Sequence, residues 1–219
     1  MLAAGSTPTV LPFSDNSQPT GVAVDTAGNV YITDDSTDQV MMLASGSSAP
    51  TVLPFTDLSQ PAGVAVDRTG TVYVADSSHS RVVMLASGSS TQAVLPFTNI
   101  KSPQGVAVDD AGRVYITEGG SNGVVMLTPG PNTQTALPFD VNKGTRGLAV
   151  DASGDVYVAD FGSNRVMMLN AGSSSPTALP FNGLNQPTAV AVDRDNNVYV
   201  TGSDGRVIEL RRTPVGIVF

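Results

Sequence analysis

A short motif that ends in Leu-Pro-Phe returns at a fixed interval of 42 residues along the chain. Its five copies occupy residues 9–13, 51–55, 93–97, 135–139 and 177–181. Between them, variants of GVAVD, VYVAD and RVVML always follow in the same order. A period of this length held through five copies indicates a repeat architecture, in which each unit stacks on its neighbours. We therefore predict a single domain over residues 1–219, with repeats at 9–50, 51–92, 93–134, 135–176 and 177–219.

Each apolar segment is four to six residues long and rich in Val, Ile, Ala and Tyr, and turn residues bound it on both sides. These features are typical of β-strands, and their uniformly apolar character indicates sheets that are covered on both faces. Four short strands in every repeat predict an all-β fold, a β-propeller of four-stranded antiparallel blades. The small residues of GVAVD suit the crowded axis. The proline of LPF lacks a ladder donor, which places that strand at the outer edge.

The number of repeats leaves two ways of forming the ring. Five repeats can close as five blades, or they can form an incomplete six-bladed ring. Two segments compete to supply the last outer strand: TVLPF at 9–13 and VGIVF at 215–219. We favour closure through residues 9–13, which would join both ends of the chain in one sheet. An unpaired edge strand would instead favour association with another copy of the chain.

The repeat pattern LPF, P-x-GVAVD, G-x-VYV-x-D and RVV-x-L resembles the NHL repeat over roughly residues 9–210. It is similar to the extracellular sensor domains of mycobacterial receptor serine/threonine kinases, whose rings have six blades. The resemblance implies an extracytoplasmic binding module, a sensor or adhesion domain of a receptor-kinase-like protein. It implies no kinase activity in this chain, because the sequence has no Gly-rich phosphate loop and no HRD or DFG triplet.

Composition excludes several other functions. A net charge of −8 with only 11 Lys and Arg residues argues against nucleic-acid partners and anionic lipid. The absence of cysteine excludes disulfides, thiolate metal sites and cysteine nucleophiles. No apolar run approaches the length of a membrane span. We therefore expect no cofactor, no nucleic acid and no direct membrane contact. The expected location is extracellular or at the cell surface, with the signal or anchor outside this chain.

The single histidine, His79, lies among Ser77, Ser78, Ser80 and Asp76, which are the residue types of a nucleophilic triad. A triad needs an imidazole that is positioned by a carboxylate and that reaches a nucleophile. Because the surrounding residues belong to the repeat, we interpret His79 as a loop residue. The DRDNN segment at 193–197 begins like a calcium loop but has Val198 where glycine is required. We predict no catalytic residue and no metal site, and hence no enzyme.

Two loops in each repeat depart from the common sequence: the loop after LPF and the loop between the second and third strands. Both are expected on one rim of the propeller, where a rigid scaffold presents binding residues. We predict a ligand-binding surface at Lys143, Arg146, Phe161, Asn164, His79, Lys101, Gln104 and Asn122. Its partner would be a protein, a peptide or a glycan. The alternatives are a lyase-type propeller enzyme and a structural unit that forms a homo-oligomer to complete the ring.

Overall fold

The computed structural model of the chain describes residues 9–13, 17–119, 123–141 and 144–212. Within them lie nineteen strands in five antiparallel sheets and one turn of 3-10 helix at Phe161–Ser163. The blades contain, in chain order, β1 (Pro19–Val24), β2 (Val30–Asp34), β3 (Gln39–Leu43) and β4 (Thr51–Val52); β5 (Pro61–Val66), β6 (Val72–Asp76), β7 (Arg81–Leu85) and β8 (Ala93–Val94); β9 (Pro103–Val108), β10 (Val114–Glu118), β11 (Val124–Thr128) and β12 (Thr133–Ala136); β13 (Thr145–Val150), β14 (Val156–Asp160), β15 (Arg165–Leu169) and β16 (Thr177–Ala178); and β17 (Pro187–Val192), β18 (Val198–Gly202) and β19 (Val207–Leu210). The predicted all-β propeller is confirmed. No helix in these residues is long and apolar enough to cross a membrane.

The strand order within each blade runs from the axis to the rim as the repeat predicts. The GVAVD strands β1, β5, β9, β13 and β17 are innermost and line one axial cavity. Each pairs with the VYV strand, which pairs with the third strand of the blade. In the first four blades a short strand just before Leu-Pro-Phe forms the outer edge. Proline therefore follows the last ladder positions, where its missing donor costs nothing.

Hydrogen bonds to one aspartate carboxylate fix the hairpin between the first two strands of every blade. In blade two, the carboxylate of Asp67 accepts hydrogen bonds from the Thr69 and Thr71 amides and from the Tyr73 hydroxyl. Burial alone would raise the pKa of Asp67, but these hydrogen bonds outweigh it and hold the pKa below its usual range. Burial and the charge of Asp67 raise the pKa of Tyr73 to about 12. The recurring tyrosines are therefore structural.

Consecutive blades approach most closely at the glycine of the inner strand. A Cβ on Gly63 would lie 2.7 Å from the carbonyl oxygen of Gln104 and 2.8 Å from the amide nitrogen of Val106, both in the next blade. The equivalent glycines of blades one, three and four meet the following blade in the same way. In blade five this position is Ala189, which is exposed. The change from glycine to alanine thus occurs where no further blade approaches.

The five blades form an arc that is open between blade five and blade one. Four hydrophobic clusters join blades one to two, two to three, three to four and four to five, and none in the described residues joins five to one. On blade five, Val207 is 67% exposed, whereas its equivalents in the other blades are at most 1% exposed. On blade one, Val22 is 69% exposed, although its equivalent Val64 is buried. We call this gap, between blade five and β1, the open side.

The prediction that residues 9–13 close the ring is wrong. These residues belong to no strand, and the fifth sheet consists of β17, β18 and β19 within the described part of the chain. Closure requires blade five to reach blade one, and the arc leaves both faces unpacked. The competing segment at 215–219 lies outside the described residues. Of the two predicted arrangements, the incomplete ring agrees with this packing.

A pair of matched threonines tests the open side. Thr117 is fully buried, and its hydroxyl donates to the Arg146 carbonyl of the next blade at 2.6 Å. Its equivalent Thr201 faces the open side and bonds only within blade five. We expect Thr117→Val to lower the free energy of unfolding by about 2 kcal/mol, because it removes the hydrogen bond to the Arg146 carbonyl and the one accepted from the Gly105 amide.

The matched change Thr201→Val should cost less than about 1 kcal/mol, because water reaches that face. Urea denaturation of both variants measures the difference. Equal losses would mean that another inner strand reaches Thr201 in solution, as the inner strand of blade four reaches Thr117.

Candidate functional site

The inner strands enclose an axial cavity of about 570 Å³. This volume falls in the usual range for small-ligand pockets, roughly 300–1,000 Å³. Its walls are mainly glycine, alanine and valine from all five inner strands. The lining also includes Val22 on one flank of the open side, and Tyr199, Thr201 and Val207 on the other. The cavity therefore continues from the axis into the open side.

One tier of the cavity varies from blade to blade while the residues around it repeat. It is the position just before the inner-strand glycine, or before Ala189 in blade five. A repeat of 42 residues places the five members at one level around the axis: Thr20, Ala62, Gln104, Arg146 and Thr188. Because the scaffold holds their backbones equivalently, differences in chemistry around the ring come from these side chains.

Arg146 is the one charged side chain among the residues that line the cavity. Its guanidinium lies over the ring of Phe161, 4.6 Å from the ring centroid, and its side chain is exposed. Among the described residues no carboxylate forms an ion pair with it. Stacking on an aromatic ring orients a guanidinium without neutralising it. The arrangement can therefore accept an anionic group at the cavity mouth.

Gln104, on the neighbouring blade, gives the mouth a second polar group. Its side-chain amide donates to the Ser77 hydroxyl at 3.0 Å and to the Ser102 carbonyl at 3.3 Å. These bonds fix the amide nitrogen, and they leave the amide oxygen as an acceptor. Of the predicted surface, the structure thus brings Arg146, Phe161 and Gln104 to the cavity mouth.

His79 lies on the same rim but not in the cavity lining. Its Nδ1 is 3.0 Å from Oδ2 of Asp76, a fully buried carboxylate that also accepts from the side chain of Arg81 and the amide of Ser59. Arg165 pairs with Asp160 in the same way in blade four. An arginine and a carboxylate thus pair across this hairpin in blades two and four. No hydroxyl donates to His79 in the described residues, so the acid and the imidazole lack the nucleophile of a triad.

The remaining predicted residues hold neighbouring loops together. Asn164 adopts a left-handed backbone with φ of 53°, and its side-chain oxygen accepts the Gln186 amide of the next blade at 2.7 Å. The Lys101 amide donates to the Glu118 carboxylate at 2.8 Å, while the lysine side chain is exposed. Two further predicted residues, Lys143 and Asn122, lie outside the described residues. Ligand contact at all of these positions stays a prediction.

Sequence reasoning missed Thr20, Ala62 and Thr188, the other members of the variable tier. The signal was the residue before the inner-strand glycine or Ala189, which takes four different identities in the five copies while its neighbours largely repeat. It also missed Tyr199 and Thr201, which line the cavity only because the arc is open. The part of the chain that the structure describes contains no group of three or more His, Cys, Asp or Glu side chains arranged to hold a metal ion.

Blades, axis and cavity define the chain as a β-propeller with an open side. The NHL repeat family matches residues 58–84 and 146–166. A chain from the crystal structure of a nidogen/laminin complex is 26% identical, with a TM-score of 0.79 over 89% of this chain and 76% of that chain. No curated protein matches this chain significantly.

Two solved lyases share the same fold at lower identity. Streptogramin B lyase is 15% identical, with a TM-score of 0.71 over 94% of this chain and 72% of its own. Virginiamycin B lyase from Staphylococcus aureus is 16% identical, with a TM-score of 0.67 over 94% and 73%. At this level of identity the likeness shows the fold alone.

Proposed function

We propose that this chain is a non-catalytic binding module that recognises an anionic group of a protein or peptide at the mouth of its axial cavity. One observation carries the proposal: the exposed guanidinium of Arg146, stacked on Phe161, is the single charge in an otherwise neutral cavity lining. The protein has a net charge of −8, so Arg146 is a local positive charge within a negative electrostatic potential. An oriented guanidinium suits bidentate binding of a carboxylate.

The rest of the site fits an extended ligand. The inner-strand glycines line the cavity and leave room along its wall, and two threonines of the variable tier line the same space. The open side gives a chain-like ligand a lateral entrance, so that an internal segment need not be threaded along the axis. A peptide with an acidic side chain or a free carboxyl terminus has the required chemistry.

A peptide library tests this function. The chain is immobilised and panned against phage-displayed heptapeptides, and the enriched peptides are synthesised for affinity measurement. We expect Arg146→Ala to weaken them by about tenfold or more. Thermal unfolding should change little, because stacking of an exposed guanidinium on an aromatic ring contributes only about 0.5–1 kcal/mol.

Arg68→Ala is the matched control, since Arg68 is an exposed arginine whose partner is Asp110, away from the cavity. It should leave peptide affinity unchanged. Peptides that bind the Arg146→Ala protein as tightly as the original would contradict the assignment.

The biological setting that we propose is a sensor or adhesion domain at the cell surface. The resemblance of the repeat to receptor-kinase sensor domains supports this setting. The nidogen/laminin structure is a complex of two proteins, and the likeness to one of its chains supports a protein partner. The hypothesis of a lyase-type enzyme has the shared fold of the two lyases as its support. Turnover of a streptogramin by the purified chain would favour it over the binding module.

A further inference from the structure

Four of the five Leu-Pro-Phe segments have the same partner. Their leucine amide donates to the first valine carbonyl of the preceding third strand: Leu53 to Val40, Leu95 to Val82, Leu137 to Val124 and Leu179 to Val166, at 2.8–2.9 Å. Their leucine and phenylalanine side chains then pack into the cluster between that blade and the next. The segment therefore recognises the third strand and covers the core beside it.

The fifth such strand, β19, has no outer neighbour among the described residues. Its Val207 corresponds to Val40, Val82, Val124 and Val166, all of which are covered, yet Val207 is 67% exposed. From the described residues, its carbonyl accepts no hydrogen bond of the kind that the four equivalent carbonyls accept. The edge of β19 can therefore pair with one more Leu-Pro-Phe strand.

The fifth Leu-Pro-Phe segment, residues 9–13, pairs with no strand in the part of the chain that the structure describes. The amide of Phe13 donates to the Leu11 carbonyl at 2.9 Å, the same bond that spans the proline in the four paired copies. The segment already has the local conformation of a docked strand. Nevertheless Val10 is 99% exposed and Leu11 is 42% exposed. Because residues 9–13 already have this conformation, pairing them as a strand costs little conformational entropy and would cover their exposed apolar side chains.

We propose that residues 9–13 of one copy add to β19 of a second copy, and that two copies exchange these strands reciprocally. The open arc keeps the segment out of the fifth sheet of its own chain, so a second copy is the partner with a matching acceptor. In a reciprocal pair, residues 9–13 and the β19 edge of both copies are all paired, as expected for strand exchange between identical chains. This interface goes beyond the proposed ligand binding and does not depend on Arg146.

Disulfide trapping tests the exchange, because the chain contains no cysteine of its own. In blade one, Thr51 pairs with Met42, and the equivalent contact in the exchange is Thr9 with Glu209. We therefore mix two single variants, Thr9→Cys and Glu209→Cys, and oxidise them. We expect a mixed disulfide dimer, since facing residues of paired strands lie within disulfide reach.

The control mixes Thr9→Cys with Met168→Cys, whose position already faces Thr177, and this pair should give no mixed dimer above background. A double variant Thr9→Cys and Glu209→Cys that forms only an internal disulfide would overturn the proposal in favour of ring closure by the chain itself. So would the absence of any cross-link.

Sedimentation of the unmodified chain gives a readout without cysteine. We expect a dimer at micromolar concentration and a monomer for Leu11→Asp, whose charge cannot enter the covered core. A monomeric unmodified chain would overturn the exchange and leave the peptide-binding proposal untouched.

Discussion

Gly63→Ala is expected to destabilise the propeller by about 3 kcal/mol, the upper part of the usual range for overpacking a close contact. The added Cβ would lie 2.7–2.8 Å from main-chain atoms of Gln104 and Val106. Neither can move away as a flexible side chain could, because both belong to the inner strand of the next blade. The whole of blade three would have to shift outward. Denaturation in urea, followed by circular dichroism, measures the loss.

Ala189→Gly is the control for the same position in blade five. Alanine is already accommodated there, and the change should cost less than about 1 kcal/mol, the usual penalty of glycine in a strand. Gly63→Ala with the stability of the original chain would show that consecutive blades are not held at the close approach described above. A large loss for Ala189→Gly would show that another surface covers blade five.

The sequence predicts the blade well because its determinants are local. Asp67, Gly70 and Tyr73 lie within seven residues and make one hydrogen-bonded hairpin, and the pattern repeats in register. Glycine at Gly70 takes the positive φ of 81° that closes the turn. Strand order follows as well, since small residues fit the axis and a proline within an apolar segment fits an edge strand. The five sheets can therefore be predicted without knowledge of the contacts between blades.

Ring closure is a different kind of property, because it depends on the rotation from each blade to the next. A small change in that rotation, accumulated over five blades, decides whether blade five meets blade one. The rotation angle between blades cannot be read from the repeat sequence. Two departures in blade five agree with an open face: Ala189 replaces glycine, and Glu209 replaces the methionine of the other third strands. Glu209 accepts a hydrogen bond from Tyr199, which places a charge where the other blades have an apolar contact.

The binding residues were predicted only where they broke the repeat conspicuously. Arg146 and Phe161 are unusual in type, and the structure brings them together in a stacked pair. Thr20 and Thr188 are ordinary residues, and their shared level in the cavity follows from the inner-strand register. His79 drew attention by its chemistry, although its position belongs to the rim.

Asp76→Ala is the second substitution for which we expect a large effect, a loss of about 3 kcal/mol in the free energy of unfolding. The carboxylate is fully buried and accepts from the side chain of Arg81 at 2.6 Å and from the Ser59 amide at 2.8 Å. Removing it takes the partner from Nε of a largely buried guanidinium, which keeps only its contacts with Asp57, and from a loop amide at once. Thermal and urea unfolding of the variant measure the loss.

Two control substitutions show whether the loss of stability comes from the burial of the carboxylate, from its charge or from the imidazole of His79. Asp204→Ala removes a carboxylate whose partner, Arg206, is exposed, and it should cost less than about 1 kcal/mol. His79→Ala should also cost less than about 1 kcal/mol, because the imidazole is more than one third exposed and Asp76 keeps its other two donors. If His79→Ala were as damaging as Asp76→Ala, the histidine would be an essential part of this cluster. The smaller loss that we expect follows from the geometry, in which the buried carboxylate organises the loop and the histidine is one of its three donors.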